Sequence, residues 1–262
     1  MRELEREELP SPLSAASLVI VGRGRVGRSL ARAAEADGIE VTLAPGDSPG
    51  DCRGAAALLC VPDEAIAEVA ARIATEGPAL VGHASGATTL DALDSAAGGG
   101  AATFSLHPLQ TFPDGDTPVE GTPAAIASSS AQGLEYARSL AEALGMRPFE
   151  VPEDSRAAYH AAAAIASNLL VALEESAAEL LGRIGVEDAR ELLAPLVLRS
   201  AANWAERGSA ALTGPIARGD RATVERHRAA LAESAPELLP LFDALAERAE
   251  AVTRESVQRV SS

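Results

Sequence analysis

Apolar residues follow two different periodicities along this chain, and the change between them falls near residue 152. In the first part, short runs of Val, Ile, Leu and Ala alternate with segments of helical periodicity. Continuous apolar runs are typical of parallel strands that are buried on both faces. The predicted strands span residues 17–22, 39–44, 55–61, 80–82, 102–106, 124–127 and 147–151, and the predicted helices include 25–37, one that opens at 62–64, and 131–144.

The second part of the chain shows helical periodicity only. Asp154 or Ser155 can cap a long helix that we predict to run to about residue 181, and glycine or proline divides the remainder into further helices. The sequence therefore predicts the α/β class, with a polar leader over 1–16, a parallel-sheet domain over 1–152 and an all-helical domain over 153–262.

The first predicted strand ends in a glycine-rich turn at residues 22–27, Gly-Arg-Gly-Arg-Val-Gly, and a helix follows it. In a dinucleotide-binding unit, Gly22 would permit the tight turn, Gly24 would let the backbone approach a pyrophosphate, and Gly27 would let helix and strand pack closely. The helix N-terminus would present unpaired N–H groups to the phosphates. The alternative is a fold of the same type whose site is empty. The residues assigned to the cofactor are Gly22, Arg23, Gly24, Arg25, Val26 and Gly27, with Val61 and Pro62 after the third strand.

The end of the second predicted strand lacks the acidic residue that usually binds the ribose 2′-hydroxyl of NAD. That strand ends at Ala44, and the nearest acid, Asp47, lies beyond a turn. Arg23 and Arg25 stand in the glycine loop, and Arg53 follows shortly after. This pattern favours a 2′-phosphate and therefore NADP, with NAD still possible; solvent-exposed arginines are the alternative.

Composition excludes several classes of function. The net charge of −16 argues against binding to nucleic acid or to anionic membrane surfaces. Every basic residue is Arg, which excludes a Schiff-base lysine and a phosphate-binding P-loop lysine. Two cysteines, Cys52 and Cys60, imply no disulfide framework, and no usual metal-ligand spacing occurs. We find no apolar run approaching the roughly 18 residues that span a membrane, so a cytoplasmic enzyme is expected.

Two of the four histidines are predicted to lie where parallel strands end, which is where ligands bind in open α/β sheets. His83 ends the fourth strand, together with Ser85 and Gly86, and His107 ends the fifth. A neutral imidazole at such a point can accept a proton from a substrate hydroxyl, and Ser85 can hydrogen-bond the same oxygen. The alternative for His107 is that it fixes the turn at Pro108.

Polar residues also interrupt the predicted long helix. His160 and Ser167 share one face, and Asn168 lies at its edge. Buried polar groups need partners, so this face either closes over the nicotinamide or forms a hydrogen-bonded contact between helices. We interpret Tyr159 as a packing residue.

A loop at residues 212–220 is rich in Gly, Pro and polar residues. Arg218 can bind a carboxylate or phosphate with two hydrogen bonds, and Thr213 can donate to the same ligand. Asp220 is expected to be the N-cap of the next helix, and His227 is expected to be solvated.

These motifs together resemble a bacterial family of Rossmann-like oxidoreductases with a C-terminal helical domain of unknown function. The family is similar in architecture to pyrroline-5-carboxylate reductase, to the 6-phosphogluconate and β-hydroxyacid dehydrogenases, and to the F420-dependent NADP reductases. The resemblance implies a nicotinamide cofactor and a helical domain that often forms a homodimer. The motifs that carry it lie at 22–27, 82–86, 105–109, 159–163, 167–168 and 212–220.

Two details of the resemblance bear on the chemistry. β-Hydroxyacid dehydrogenases place a catalytic Lys four residues before an Asn; here Asn168 matches, but the Lys position is Ala164. That departure removes their acid/base group. Conversely, His107-Pro108 looks like the His-Pro of prephenate dehydrogenases, in which the His contacts the substrate.

We therefore predict an NAD(P)-dependent oxidoreductase that transfers hydride to or from a small polar substrate between its two domains. In this hypothesis His107 is the acid/base group, and Ser85 and His83 orient the substrate oxygen. The opposite wall is predicted to contain His160, Ser167 and Asn168. Arg218, with Thr213, is predicted to bind an anionic group of the ligand. A non-catalytic NADP-binding sensor or scaffold is the main alternative, and coupling to the deazaflavin F420 is another.

Overall fold

A computed structural model describes residues 17–260, with side chains described up to residue 255. The polar leader expected over residues 1–16 lies outside this range. The strands are β1 (Leu18–Val21), β2 (Val41–Ala44), β3 (Ala56–Leu59), β4 (Leu80–His83), β5 (Ala102–Pro108), β6 (Pro123–Ser128) and β7 (Arg147–Glu150). The helices are α1 (Arg25–Ala36), α2 (Ile66–Ala74), α3 (Asp94–Gly98), α4 (Ala131–Ala143), α5 (Arg156–Ala166), α6 (Asn168–Arg183), α7 (Ala189–Arg207), α8 (Gly214–Ala217), α9 (Arg221–Ser234) and α10 (Leu239–Val260).

The seven strands form one sheet in the order β2-β1-β3-β4-β5-β6-β7, and the α/β class is confirmed. All neighbouring strands are parallel except β5 and β6, which pair antiparallel with His107 opposite Ala125. A parallel connection needs a crossover, usually through a helix, whereas the described segment 109–122 contains none. The expected parallel sheet is therefore corrected to a mostly parallel one.

The core occupies both faces of the sheet. Leu18 and Ile20 of β1 belong to the apolar cluster that includes α1 and α4, whereas Val19 and Val21 belong to the cluster with α2. All four side chains are buried. This two-sided burial explains why β1 is continuously apolar in sequence rather than alternating.

The chain divides into two compact units, one up to Ile165 and one from Ala166. The division falls after the predicted boundary at 152, because α5 is tied to the strands of the first unit. The single long helix predicted through residue 181 is wrong: Ser167, with φ −128° and ψ −75°, separates α5 from α6. Its hydroxyl donates to Asn168 Oδ1 at 3.2 Å, the kind of local polar bond that competes with helix continuation.

The second unit is made of α6 to α10, with contacts between α6 and α7 and between α10 and both α8 and α9. Among its described residues few apolar side chains are buried, notably Leu231 and Ala235. Its exposed large apolar side chains are Leu169, Leu170, Val171, Ile184, Leu192, Leu196, Leu198, Trp204, Leu212, Leu241 and Leu245.

One helical stretch, Glu153–Arg183, is long and apolar enough to cross a membrane by length and composition alone, with a mean hydropathy of 1.2. This corrects the expectation from the sequence that no segment approaches that length. None of its apolar window is buried, and Ser167 interrupts it.

Candidate functional site

Of the three glycines in the 22–27 loop, one has free space where a side chain would stand and two do not. A Cβ on Gly22, whose φ is +125°, would lie 2.2 Å from the Cys60 carbonyl oxygen, and one on Gly27 would lie 1.9 Å from the Gly22 oxygen. A Cβ on Gly24 would meet no atom within 4 Å. Gly24 is also the N-cap of α1 and provides no side-chain cap. The loop thus closes tightly on the sheet and leaves uncapped N–H groups beside an open space, which fits a pyrophosphate.

Arg23 lies across the end of β2. Its Nε and Nη2 atoms both donate to the Leu43 carbonyl at 3.4 Å. The last residue of β2 is Ala44, and Arg72 holds the following loop by donating to the carbonyls of Gly46 and Asp47 at 3.3 and 2.9 Å. The β2 end therefore presents a guanidinium where NAD-binding sites usually present a carboxylate.

The two other arginines near this loop in sequence are placed differently. Arg25 begins α1 and is exposed. Arg53 precedes β3. Because Leu18 pairs with Ala56 at the start of the two parallel strands, Arg53 lies at the N-terminal ends of the strands, whereas the glycine loop lies at their C-terminal ends. The suggestion that Arg53 stands near a 2′-phosphate is therefore wrong.

The end of β3 borders the same loop. Cys60 N–H donates to the Val21 carbonyl at 2.7 Å, and Val61 and Pro62 follow, with Pro62 preceding a short 3₁₀ turn. Both described cysteines are free. Burial raises the pKa of the Cys60 thiol to about 12, so this thiol is a packing group rather than a nucleophile.

At the end of β5, His107 pairs with Tyr159 of α5. Its Nδ1 atom lies 2.6 Å from the Tyr159 hydroxyl, and the two rings meet edge to face with centroids 5.6 Å apart. The interpretation of Tyr159 as a packing residue is corrected, because its polar end contacts the histidine. The sequence gives no clear signal for this pair, since 52 residues separate its members.

His160 approaches the same histidine from the next position of α5. The ring centroids of His107 and His160 are 6.2 Å apart. Gly86 lies against both: a Cβ there would be 2.9 Å from His107 Nε2 and 2.8 Å from His160 Cδ2. The structure thus brings together His107, His160 and the loop after β4.

His107 is held neutral at physiological pH. Burial lowers its pKa to about 4, and the His160 and Arg156 side chains add to the lowering, whereas the Asp63 carboxylate opposes it. A neutral imidazole carries one N–H donor and one acceptor, and its hydrogen-bond partner determines which nitrogen is which.

A buried arginine that the sequence did not predict as a site residue anchors the N-terminal end of α5. Arg156 is 1% exposed; it donates to Glu153 Oε1, to the Ser105 hydroxyl at 2.5 Å and to the Ser85 carbonyl at 3.3 Å. Glu153 also accepts from the Leu90 N–H at 2.8 Å. The i,i+3 spacing of Glu153 and Arg156 is the only local signal, and it is equally typical of a surface ion pair.

Ser85 and His83 are placed less favourably for substrate than predicted. The Ser85 hydroxyl donates to Thr88 Oγ1 at 3.0 Å and accepts from the N–H groups of Ala87 and Thr88, so the turn already uses it. His83 is fully buried, and its ring nitrogens make no hydrogen bond of ordinary geometry among the described residues. Burial lowers the pKa of His83 to about 4 and Arg156 adds to this, whereas Asp63 and the nearby Thr89 backbone oppose it. The turn contacts of Ser85 and the full burial of His83 favour structural roles for both residues.

In the second unit, the residues assigned to substrate stay predictions. Ser167 and Asn168 form a local pair where α6 begins, Thr213 precedes α8, and Arg218 follows it. The expected N-cap is confirmed, because Asp220 accepts from the Thr223 N–H at 3.1 Å. His227 is exposed, as expected, and its ring meets Phe242 edge to face.

A mostly parallel seven-stranded sheet with an uncapped glycine loop after β1, followed by a helical unit, defines a Rossmann-like α/β protein. More particularly, residues 122–249, a little under half of the chain, match the family model described as a domain of unknown function (DUF2520). No curated protein sequence matches the chain.

Solved structures match over both units. Protein TM1727 from Thermotoga maritima is 24% identical with a TM-score of 0.74, covering 92% of this chain and 99% of its own. BF3122 from Bacteroides fragilis, named as an NADP oxidoreductase, is 20% identical with a TM-score of 0.73, covering 91% and 99%. A reductive aminase from Aspergillus terreus, in complex with NADPH and ethyl-5-oxohexanoate, is 18% identical with a TM-score of 0.60, covering 90% and 93%. They confirm the expected fold, a Rossmann-like unit followed by a helical C-terminal unit.

Proposed function

We propose that this protein is an NADP-dependent oxidoreductase acting on a small polar substrate. One observation carries the proposal: in the glycine loop only Gly24 is open, and it lies directly before the uncapped N-terminus of α1. Backbone N–H groups there can bind a pyrophosphate at close range. The names of the structural neighbours support a nicotinamide cofactor.

The preference for NADP rests on Arg23. Its guanidinium lies at the end of β2, where the ribose of a bound dinucleotide would lie, and a guanidinium binds a phosphate with two hydrogen bonds. The final residue of β2, Ala44, offers no carboxylate to a ribose 2′-hydroxyl. We therefore expect NADPH to bind more tightly than NADH.

In the proposed reaction, a bound nicotinamide would supply or take up the hydride, and a proton exchanged with solvent would balance the interconversion of carbonyl and alcohol. The chain's own residues bind and orient the substrate oxygen. His107 is neutral and half-buried, and within the described residues only its Nδ1 atom is hydrogen-bonded, so its Nε2 atom can hydrogen-bond that oxygen. The His160 ring lies beside it. Arg156 and Glu153 hold α5 against the strands so that the two imidazoles keep their separation.

A non-catalytic NADP-binding sensor is the second candidate. Ala164 stands where β-hydroxyacid dehydrogenases have their catalytic Lys, and the absence of that acid/base group favours a sensor. The converging His107 and His160 favour the enzyme, since a sensor has no need for them. Oxidation of NADPH by simple carbonyl compounds separates the two, and absorbance of the purified protein would reveal a retained deazaflavin.

We also propose that the second unit mediates a homodimer. Eleven of its large apolar side chains are 38–70% exposed, together on the order of 1,000 Å² of apolar surface, which exceeds the roughly 800 Å² that each partner buries in a stable interface. A second copy of the chain offers a matching surface of the same size. We expect the dimer to be cytoplasmic.

The experiment for the cofactor uses two glycine variants. Gly24→Ala should fold normally, because its Cβ meets nothing and its φ of −71° suits alanine, yet the methyl group should occupy the space of the pyrophosphate. We expect NADPH to raise the Tm of the wild-type protein and not that of Gly24→Ala. Gly98→Ala, which is equally free of contacts, is the matched control and should keep the NADPH response. Absence of any NADPH response in the wild type would refute the proposal.

A further inference from the structure

We propose that Tyr159 is a positioning residue that holds His107 as the tautomer with its proton on Nε2. The assignment of a tautomer rests on the contacts below and holds with or without a cofactor. Only the use of that N–H group toward a substrate rests on the proposed function.

The contact between the two side chains is short and specific. Tyr159 Oη lies 2.6 Å from His107 Nδ1, the length of a strong hydrogen bond, and the rings meet nearly perpendicular, at 85°. Either the phenol O–H donates to an unprotonated Nδ1, or a protonated Nδ1 donates to the phenol oxygen. In the first arrangement Nε2 carries the ring proton, and in the second it carries a free lone pair.

The first arrangement is favoured chemically. A phenol is a good donor, whereas an unprotonated imidazole nitrogen is a good acceptor. Burial raises the pKa of Tyr159 to about 12, so the hydroxyl keeps its proton at neutral pH. In the second arrangement that proton would need another acceptor, and the described hydrogen bonds of Tyr159 include none. The Tyr159 O–H therefore donates to Nδ1, and Nε2 carries the ring proton.

The Nε2 atom lies on the side of the imidazole that faces Gly86. A Cβ at Gly86 would be 2.9 Å from Nε2 and 2.8 Å from His160 Cδ2, so the glycine packs closely against both rings and a side chain at residue 86 would collide with them. No hydrogen bond to Nε2 occurs within the described part of the chain. The N–H group is thus free to donate to a ligand atom.

This tautomer selects a substrate class. A neutral imidazole N–H is a hydrogen-bond donor, and it can polarise a carbonyl oxygen without carrying a charge. A protonated imine presents an N–H of its own, so two donors would face each other. The site therefore suits an aldehyde or ketone better than an iminium ion.

The test is isotope-edited NMR of the His107 ring nitrogens in the protein without cofactor. His107→Gln assigns the signals. We expect the wild type to show a single neutral tautomer protonated on Nε2, and Tyr159→Phe to show a mixture of tautomers. Tyr136→Phe is the matched control, since Tyr136 is the other tyrosine and its hydroxyl has no hydrogen-bond partner in the described chain. It should leave the His107 signals unchanged.

Two outcomes would overturn the assignment. One is a wild-type His107 protonated on Nδ1, which decides the matter even if Tyr159→Phe does not fold. The other is a Tyr159→Phe spectrum identical to that of the wild type.

Kinetics add a separate readout. With NADPH and a panel of small neutral aldehydes, Tyr159→Phe should lower kcat about 10- to 100-fold, as for other residues that orient a histidine, with the KM for NADPH unchanged. A protein that never oxidises NADPH would contradict the proposed function, whereas the NMR result would still decide the role of Tyr159.

Discussion

At the scale of single residues, the glycine loop illustrates what a sequence can specify. The identities of Gly22 and Gly27 are dictated by backbone atoms within 2.2 Å of where a Cβ would stand, so a short motif sufficed to predict the turn. The contact between His107 and Tyr159 could not be predicted in this way. It depends on how α5 returns to the sheet, which no local pattern of residues encodes.

The two neutral histidines of the first unit make its stability depend on pH. His83 and His107 have a pKa of about 4 in the fold, against an ordinary value of 6.5. Between these values the unfolded chain binds more protons than the folded one, so the free energy of unfolding should fall as the pH drops from about 6.5 to about 4. The slope should reach at most about 1.4 kcal/mol per pH unit for each histidine.

Urea unfolding at a series of pH values measures this dependence. His83→Leu removes one of the two buried imidazoles and should make the slope shallower across the same window. An unchanged slope in that variant would exclude His83 as a source of the effect.

The choice of cofactor should depend on one guanidinium. Arg23→Gln removes the cation at the end of β2, so the Kd for NADPH should rise about 10-fold or more, which corresponds to about 1.4 kcal/mol, while the Kd for NADH stays the same. Arg53→Gln is the control because Arg53 lies at the N-terminal ends of the strands, away from the glycine loop. Calorimetric titration with both nucleotides measures the difference, and an equal loss for NADPH and NADH would contradict the role of Arg23.

At the scale of elements, the sequence predicted the seven strands and α1 closely, because burial of both sheet faces leaves a strong apolar signal. It failed at two points that the apolar pattern does not report. The direction of β6 follows from the connection before it, and the separation of α5 from α6 follows from the local pairing at Ser167. Periodicity continues across that interruption, so an apolar pattern cannot detect it.

The attachment of α5 should depend on Arg156. Arg156→Leu removes a buried guanidinium together with its bonds to Ser85 and Ser105, and it leaves the partly exposed Glu153 without its ion partner. We expect a loss of about 3 kcal/mol in the free energy of unfolding. Arg138→Leu removes the more exposed pair with Glu150 and should cost less than about 1 kcal/mol. Similar losses for the two variants in denaturant unfolding would show that Arg156 is not an anchor.

At the scale of the whole molecule, the two units differ in how they handle apolar surface. The first buries it on both faces of a sheet, whereas the second leaves much of it exposed along its helices. Monomeric proteins rarely expose apolar patches larger than a few hundred Å², so we expect a second copy of the chain to cover part of this surface. The sequence predicted an association surface only through the family resemblance, since helical periodicity does not distinguish a core from an interface.

Self-association should therefore be sensitive to charge on α7. Leu196→Glu places a carboxylate on the exposed apolar surface of the second unit and should convert the dimer to a monomer in analytical ultracentrifugation. Leu109→Glu makes the same change at an exposed leucine of the first unit and should leave the dimer intact. A wild-type protein that sediments as a monomer at all concentrations would rule out the dimer.

The distribution of aromatic residues gives each unit its own optical signal. Trp204, the single tryptophan, is 66% exposed on α7, whereas both tyrosines, Tyr136 and Tyr159, lie in the first unit. Tryptophan emission should therefore shift to shorter wavelengths when copies of the chain associate, because the indole leaves water. Tyrosine emission should instead follow the unfolding of the sheet. One unlabelled sample can thus report assembly and folding at the same time, at two excitation wavelengths.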